Sequence, residues 1–212
     1  MGELGKFERK LPEDRRKTLI DATLACLARE GTAGLSIRKI SKEAGISIGL
    51  INHHYAGKDE LIGAAYETFS LSHLDATRQR IAKAGADPRA RLSAYIQGLL
   101  SAPMLQQGTL RVWVVFWSII ENSAPMMDVH DRTYAEYRAL LATLMAEAGT
   151  AIAAPEVDTR LAAIALTAML DGLWLEWCLD PDNFEPAEAV QLCEAWVDRL
   201  VQSKKANIDT QA

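Results

Sequence analysis

The chain has 212 residues, 49% of them hydrophobic, and a formal net charge of −5. This length fits one large domain, or one small and one medium domain, with a sizeable core. No apolar run approaches the length of a membrane span, the N-terminus is too charged for a secretory signal, and the three distant cysteines indicate neither disulfides nor a metal site. We therefore expect a cytoplasmic protein with no metal and no cofactor.

Charge is distributed unevenly along the chain. Residues 6–58 contain eleven Lys or Arg and six Asp or Glu, a local balance of +5, which leaves −10 for the remainder. Such asymmetry indicates a basic module that meets a polyanion, joined to an acidic body that does not.

Helices are predicted throughout, because the sequence lacks sustained period-two alternation and hairpin signals. Pro12 opens the first helix and Gly31 ends it, while Ser36 and Ser47 cap two short helices separated by Gly45. Prolines separate the later helices. The predicted helices span 12–30, 36–44, 47–55, 58–84, 88–102, 105–121, 125–148, 157–180 and 186–204.

The segment "SIRKISKEAGISIGLINHH", residues 36–54, matches a helix-turn-helix. Ala44 and Gly45 give the turn a small residue and free backbone angles. The third helix contains glycine and β-branched residues, so it must be held by tertiary packing. The residues expected to pack the second and third helices against the first are Ile37, Ile40, Ala44, Ile46 and Ile51.

The outward face of the third helix is predicted to enter a DNA major groove. Gly49 lets the backbone come close, Asn52 is suited to adenine, and Ile48 to a thymine methyl. The expected base-reading residues are Ser47, Ile48, Gly49 and Asn52. The expected phosphate contacts are Arg38 and Lys39 on the second helix, and His53, His54, Tyr55 and Lys58 beyond the reading turn.

Two other interpretations of this stretch are open on the residues alone. The first is an ordinary helix corner whose polar residues are simply solvated. The second is a metal site at His53 and His54, which ranks low because adjacent residues on a helix point about 100° apart and chelate poorly.

The body gathers four of the five tryptophans in "LRVWVVFWSIIENSAPMM" and "MLDGLWLEWCLD". Trp113, Trp117 and Glu121 form one helical stripe, and Asp171 lies one turn from Trp174 on another helix. Aromatic faces with a nearby carboxylate can enclose a quaternary ammonium ion. Tryptophans at helical spacing are, however, more often part of a core. The candidate ligand-binding residues are Trp113, Phe116, Trp117, Glu121, Tyr137, Asp171, Trp174 and Trp177.

Residues 13–61 resemble the N-terminal DNA-binding domain of the TetR family of bacterial repressors. The segments "SIRKISKEAGIS" and "GLINHHYAGKDEL" stand where that family has T/S-hydrophobic-R-x-I-A-x-x-A-G-V-S and G-x-L/I-Y-x-H/Y-F-x-x-K-x-x-L. Gly49, Tyr55, Lys58 and Leu61 match this pattern, whereas Asn52 replaces a frequent tyrosine. The resemblance implies that Lys58 caps the fourth helix and approaches a phosphate of operator DNA.

The same resemblance implies an all-α, TetR-like fold. Its N-terminal three-helix helix-turn-helix domain would span residues 8–61, and a larger C-terminal helical domain for effector binding and dimerisation would span residues 62–206.

The patterns "WVVFW" and "LDGLWL" resemble the C-terminal domain of the BetI branch of TetR regulators. Members of that branch repress genes that convert choline to glycine betaine, and they respond to choline. Trp113, Phe116, Trp117 and residues 171–175 have direct counterparts there. Residues 176–178 are Glu, Trp and Cys, whereas the branch is expected to have a basic residue and small residues there. This departure would change the size or polarity of a pocket.

Assembly is predicted from the last two helices, which are apolar on more than one face. A two-fold homodimer with a four-helix interface would cover them, as the TetR resemblance also implies. It would place two reading helices one DNA turn apart on a near-palindromic operator. The residues concerned are Leu161, Ile164, Ala165, Ala168 and Leu175 on one helix and Val190, Cys193, Val197 and Leu200 on the other.

Three classes of function remain open. A choline-responsive or related quaternary-amine-responsive repressor is favoured, and a TetR-type regulator with an unrelated apolar effector is its nearest alternative. An all-helical enzyme acting on a small cation, with Asp171 or Glu121 as general base, lacks any supporting catalytic motif. A helical interaction module without DNA binding conflicts with the charge asymmetry.

Overall fold

The computed structural model describes residues 12–121, 123–151 and 158–202, and these residues contain helices but no strand. The all-α prediction is confirmed over these residues. The α-helices are α1 (Pro12–Glu30), α2 (Ile37–Ala44), α3 (Ile48–His54), α4 (Lys58–Lys83), α5 (Pro88–Leu99), α6 (Gln107–Ile120), α7 (Ala124–Ala151), α8 (Thr159–Leu179) and α9 (Pro186–Gln202).

Each predicted helix is present, with ends that shift by up to three residues. A short 3₁₀ turn over Gly31–Gly34, which the sequence did not predict, joins α1 to α2. The predicted limits at 8, 157, 204 and 206 lie outside the described residues. Side-chain caps begin two of the later helices. Asp87 and Asp158 accept hydrogen bonds from backbone amides in the first turns of α5 and α8.

Buried apolar side chains form two clusters. The smaller cluster joins α1, α2, α3 and the start of α4, and its members include Leu19, Ile40, Ile51 and Leu61, all fully buried. Ile37, Ala44 and Ile46 pack against it, so the predicted packing of the short helices on α1 is confirmed. The larger cluster fills the body formed by α4 to α9.

Long α4 belongs to both clusters and runs from the helix-turn-helix into the body. Ion pairs join other helices of the body. Arg89 of α5 pairs with Glu194 and Asp198 of α9, and Arg91 pairs with Glu147 of α7.

α8 differs from the expectation that no helix is apolar enough to span a membrane. Among the described residues it alone meets the length and composition of a span, with a mean hydropathy of 1.4 over its most apolar window. One of its faces packs into the body through residues that include Leu166, Leu170 and Trp174, and the same helix carries Asp171. The core therefore accounts for one of its two apolar faces.

Candidate DNA-binding surface and effector cavity

The turn between α2 and α3 is fixed by backbone geometry. Gly45 adopts a left-handed conformation, with φ of 64°, that ends α2. The backbone N–H of Ile46 donates to the Ser41 carbonyl at 3.1 Å, and the Ser41 hydroxyl donates to the Ile46 carbonyl at 2.6 Å. Ser47 then accepts from the Leu50 amide and begins α3. This tight corner presents α3 on the outside of the smaller cluster.

Most of the predicted DNA-binding residues lie exposed on this corner. A Cβ built at Gly49 would have no atom within 4 Å, so the surface there is open to a close-approaching partner. Ile48 is 40% exposed, so its side chain is accessible to a partner. DNA contact by these side chains stays a prediction. The exposed members are Arg38, Lys39, Ser47, Ile48, Gly49, Asn52, His53 and Lys58.

Tyr55 corrects the sequence prediction. It was expected to contact phosphate, but it is only 2% exposed because its ring is part of the smaller cluster. The Arg16 guanidinium lies over this ring at 5.0 Å from its centroid and donates to the His54 carbonyl at 3.3 Å. Tyr55 and Arg16 therefore hold the end of α3 against α1.

His54 is half-buried, and its Nε2 atom is buried without a hydrogen-bond partner among the described residues. Burial lowers the pKa of this imidazole, and the neighbouring His53 and arginines lower it further. The Nε2 atom of His54 is buried whereas the His53 side chain is exposed, so His53 is the more accessible of the two to a phosphate.

We expect Lys58→Ala and Asn52→Ala to weaken DNA binding in different ways. Loss of a phosphate contact at Lys58 should lower affinity for all DNA sequences alike. It should also reduce the slope of log affinity against log salt concentration by about 1. Loss of a base contact at Asn52 should relax preference at one operator position by about 1–3 kcal/mol. Fluorescence anisotropy with operator and random duplexes at several salt concentrations measures both effects.

Lys83→Ala, at the exposed far end of α4, is the control for the loss of one positive charge. If Lys58→Ala and Asn52→Ala both bind like the Lys83→Ala variant, α3 and the start of α4 do not form the DNA-binding surface.

A cavity lies inside the body between α5, α6, α7 and α8, and we call it the effector cavity. The space outside the protein atoms there is about 470 Å³, a figure that includes its opening to solvent. Its lining is Tyr95, Leu99, Met104, Trp113, Tyr134, Tyr137, Arg138, Thr167, Leu170, Asp171 and Trp174.

Two tryptophans form the aromatic part of this lining. The ring centroids of Trp113 and Trp174 are 6.2 Å apart, with 37° between the ring planes. The Trp174 indole N–H donates to the Leu99 carbonyl at 2.7 Å, which fixes that ring. The Trp113 indole N–H is buried with no hydrogen-bond partner among the described residues. The tryptophans are therefore both core residues and cavity walls, and the two interpretations of the sequence are compatible.

Asp171 is the one carboxylate among the lining residues of the effector cavity. Burial raises the pKa of this carboxyl to about 6, and no described residue forms a hydrogen bond or ion pair with it. Burial also raises the pKa of the facing Tyr95 and Tyr134 hydroxyls, and the Asp171 charge adds to that rise. Asp171 is half-buried, and a carboxylate partly withdrawn from water without a partner is costly, so a cation in the cavity would stabilise it.

Four predicted ligand-binding residues do not line the cavity. Phe116 is fully buried against Tyr66 at 4.8 Å between ring centroids, and the Trp117 ring contacts Trp113 at 5.9 Å between centroids, with 36° between the ring planes. Glu121 lies exposed just after α6 ends, and Trp177 packs against the core outside the cavity lining. The reason is that a step of four residues rotates about 40° around a helix and a step of three about 60° in the opposite direction, so neighbours on a stripe turn away from a small cavity.

The cavity also includes residues that the site prediction missed. Tyr95 is the lone aromatic residue of α5, and no spacing in the sequence distinguished it. Tyr134 lies one turn before Tyr137, so the helical period that selected Tyr137 could have selected Tyr134 as well.

The binding of a permanently charged cation is expected to depend on pH through Asp171. The pKa of its carboxyl rises from 3.8 to about 6 on folding, so the folded protein holds a proton that the unfolded chain releases. Stability attributable to this group should therefore fall as pH rises through that window. Cation affinity should instead rise, by about tenfold between pH 5 and pH 7, because the cation prefers the ionised carboxylate.

Calorimetric titration at pH 5, 6 and 7 measures this dependence and the proton released on binding. The Asp171→Asn variant is the control, because it keeps the shape of the side chain without its titration. If cation affinity changes with pH equally in the variant, the dependence comes from other groups, such as His73 and His130, whose pKa values burial lowers.

The effector cavity is connected to the DNA-binding surface through α4 and α6. Trp113 contacts Phe69 and Tyr66 of α4 at centroid distances of 5.0 and 6.1 Å. Phe69 is eleven residues beyond Lys58, so this contact lies about 16 Å along the axis from the start of α4. On α6, Arg111 donates to the Ala28 and Arg29 carbonyls at 3.0 Å, which ties this helix to the end of α1.

The chain thus combines a helix-turn-helix with a helical body that encloses an aromatic cavity, the arrangement of a ligand-responsive DNA-binding regulator. Residues 19–65 match the family described as bacterial regulatory proteins, tetR family. Residues 88–202 match the family described as BetI-type transcriptional repressor, C-terminal. The chain belongs to the TetR family, with a BetI-type C-terminal domain, and it is a transcriptional repressor of that type rather than an enzyme.

Individual relatives agree with this assignment. The HTH-type transcriptional regulator BetI of Paraburkholderia phytofirmans is 31% identical over 91% of this chain and 96% of its own. A transcriptional regulator from Pseudomonas aeruginosa PAO1 of known crystal structure is 44% identical, covers 95% of this chain and 97% of its own, and superposes with a TM-score of 0.85. A transcriptional regulator from Saccharomonospora viridis, crystallised in complex with choline, shares the fold at 19% identity, with a TM-score of 0.76 over 88% of this chain and 96% of its own.

Proposed function

We propose that this repressor binds operator DNA as a two-fold dimer and that a small quaternary ammonium ligand, choline or a relative, controls its DNA binding. The DNA-binding domain would be residues 8–61 and the effector and dimerisation domain residues 62–206. The regulated genes would serve glycine betaine synthesis or quaternary-amine metabolism, and the protein would act in the cytoplasm, where the DNA lies.

One observation carries the choice of ligand: a half-buried carboxylate, without a hydrogen-bond or ion-pair partner among the described residues, lies in a cavity whose walls include two tryptophans. A quaternary ammonium ion has no N–H to donate, so it binds through its charge and through aromatic faces. The cavity offers both kinds of contact. The names of the curated relatives and the choline complex of the Saccharomonospora protein support the same class of ligand.

The dimer is supported by the outer face of α8. Leu161, Ile164 and Leu175 are 53%, 47% and 46% exposed, and Ala165 and Ala168 are exposed between them. They form an apolar stripe opposite the face that packs into the body, and a stripe of this kind marks an interaction surface. A second copy of the chain would cover it and would explain why α8 is apolar on both faces.

α9 requires a correction of the predicted interface. Cys193 and Val197 are fully buried inside the chain, and Val190 and Leu200 pack against the larger cluster. Leu192, at 59% exposed, is a large apolar side chain that α9 presents outward. Leu192 therefore replaces Cys193 and Val197 in the proposed interface.

Control of DNA binding requires a ligand that favours one conformation of α4 and α6. A ligand can shift DNA affinity only by its differential affinity for the two conformations, typically 1–3 kcal/mol. We therefore expect a saturating effector to change operator affinity by about 5- to 150-fold.

Fluorescence anisotropy with the intergenic DNA upstream of the gene, with random DNA as competitor, tests the DNA-binding part. Choline and 3,3-dimethylbutanol, its uncharged carbon analogue of the same shape, test the ligand part. The proposal expects choline to bind at least about tenfold more tightly and to change operator affinity. If 3,3-dimethylbutanol binds as tightly as choline or more tightly, the effector is apolar. If the protein does not prefer the intergenic DNA over random DNA, it does not repress from this DNA.

A further inference from the structure

The lining of the effector cavity carries one cationic side chain, Arg138 of α7, in addition to the single carboxylate of Asp171. The following inference rests on the proposed function and narrows its ligand class. Both charged groups border the same space, yet they form no ion pair with each other. The cavity therefore presents two separate charges of opposite sign.

Arg138 differs from other arginines on this side of the molecule. Arg132 of α7 pairs with Glu67 at 3.1 Å, and Arg78 of α4 pairs with Glu136 at 2.8 Å. Arg138 forms no hydrogen bond or ion pair with any described residue, and its guanidinium carbon lies 6.0 Å from the Tyr134 ring centroid. This contact holds the guanidinium beside a cavity wall, while its N–H donors have no acceptor among the residues that the structure describes.

The two charges lie at different depths. Asp171 is largely enclosed, whereas Arg138 is exposed and remains solvated when the cavity is empty. A ligand would therefore place its cationic end inward, against Asp171 and the tryptophans. The remainder of the ligand would extend towards the solvent, where Arg138 lies.

Choline would satisfy only half of this arrangement. Its charge would neutralise Asp171, but its hydroxyl end would leave Arg138 without a counter-charge. A zwitterion would meet both groups, and guanidinium is well suited to carboxylate and phosphate because its planar N–H groups match their oxygens. Complementary charges at the two ends also fix the orientation of the ligand.

We propose that the preferred effector is a zwitterion, a quaternary ammonium that also bears an anionic group, and that Arg138 is the residue that recognises the anionic end. Carboxylate and phosphate share the required chemistry. Glycine betaine and phosphocholine represent the two sources.

Matched ligands test this proposal. Glycine betaine and its methyl ester have the same trimethylammonium head, but the ester has no negative charge at the tail. Calorimetric titration of the full-length dimer with both ligands, with phosphocholine and with choline compares them directly. We expect glycine betaine or phosphocholine to bind at least about tenfold more tightly than the ester, in keeping with a charge-assisted pair.

The variant Arg138→Gln should reduce this preference to less than about twofold and leave the affinity for the ester and for choline near wild type. Arg138 is exposed, so its replacement should fold, and thermal unfolding checks this. Arg132→Gln, on the same helix but paired with Glu67 outside the cavity, is the matched control and should keep the full preference.

Two failures can be distinguished. The zwitterion proposal is wrong if choline and the ester bind as tightly as the zwitterions. It is also wrong if Arg138→Gln weakens the binding of ligands with charged and with uncharged tails equally. In both cases the quaternary ammonium proposal stands. If no trimethylammonium ligand binds, both are wrong.

Discussion

Asp171→Asn is expected to weaken binding of a quaternary ammonium ligand by at least about tenfold, because it removes the one negative charge that the cavity lining offers to a cation. The substitution keeps the shape of the side chain and relieves the cost of a buried carboxylate, so the variant should be no less stable than wild type. Operator binding without ligand should stay near wild type, since Asp171 lies on α8 in the lining of the effector cavity and not in the helix-turn-helix. Calorimetry with choline and glycine betaine, followed by operator titration, measures both properties.

Trp174→Ala should produce a similar loss of ligand affinity by removing an aromatic wall, where a desolvated contact is worth on the order of 2 kcal/mol. Truncation of a buried tryptophan also destabilises the fold, so a matched control is needed. Trp177→Ala lies one turn further on α8, outside the cavity lining, and should bind ligand like wild type. If both variants lose ligand affinity equally, the tryptophans only pack in the hydrophobic core and do not contact the ligand.

Ile164→Arg is expected to break the dimer and, with it, operator binding. Ile164 lies on the exposed apolar stripe of α8, where an unpaired charge on each subunit would face its symmetry mate across a dry interface. We expect the dimer dissociation constant to rise by at least about a hundredfold, equivalent to roughly 3 kcal/mol. Light scattering at micromolar concentration measures assembly, and anisotropy measures operator binding.

Ala82→Arg, on the exposed side of α4, is the control for the added charge and should remain dimeric. A wild-type protein that is monomeric at micromolar concentration would contradict the dimer proposal. An Ile164→Arg variant that stays dimeric would instead exclude this face of α8 as the interface.

The helix-turn-helix could be predicted from sequence because its determinants are local. Ser47 begins α3, Gly45 ends α2, and the apolar spacing of the short helices identifies the side that packs on α1. Tyr55 was misplaced because its position after α3 resembles that of a surface contact, while the burial of its ring depends on α1 and α4.

The effector cavity could be predicted only in part. Helical periodicity brings Trp113 and Trp117 onto one stripe, but it cannot show which of them borders a space formed by three other helices. Tyr95 and Arg138 enter the lining through the packing of α5 and α7, and they carry no signal of their own. The sequence of α9 likewise did not reveal that Cys193 points inward and Leu192 outward. When a helix is apolar on two faces, its sequence does not show which face packs inside the chain.

A crystal structure of the protein with the tightest-binding trimethylammonium ligand tests the central claim most directly. The account predicts the ammonium nitrogen inside the effector cavity, within about 6 Å of the Trp113 and Trp174 ring centroids and beside the Asp171 carboxylate, with any anionic tail directed to Arg138. A ligand bound elsewhere, or one whose ammonium group lies away from Asp171 and both tryptophans, would contradict it.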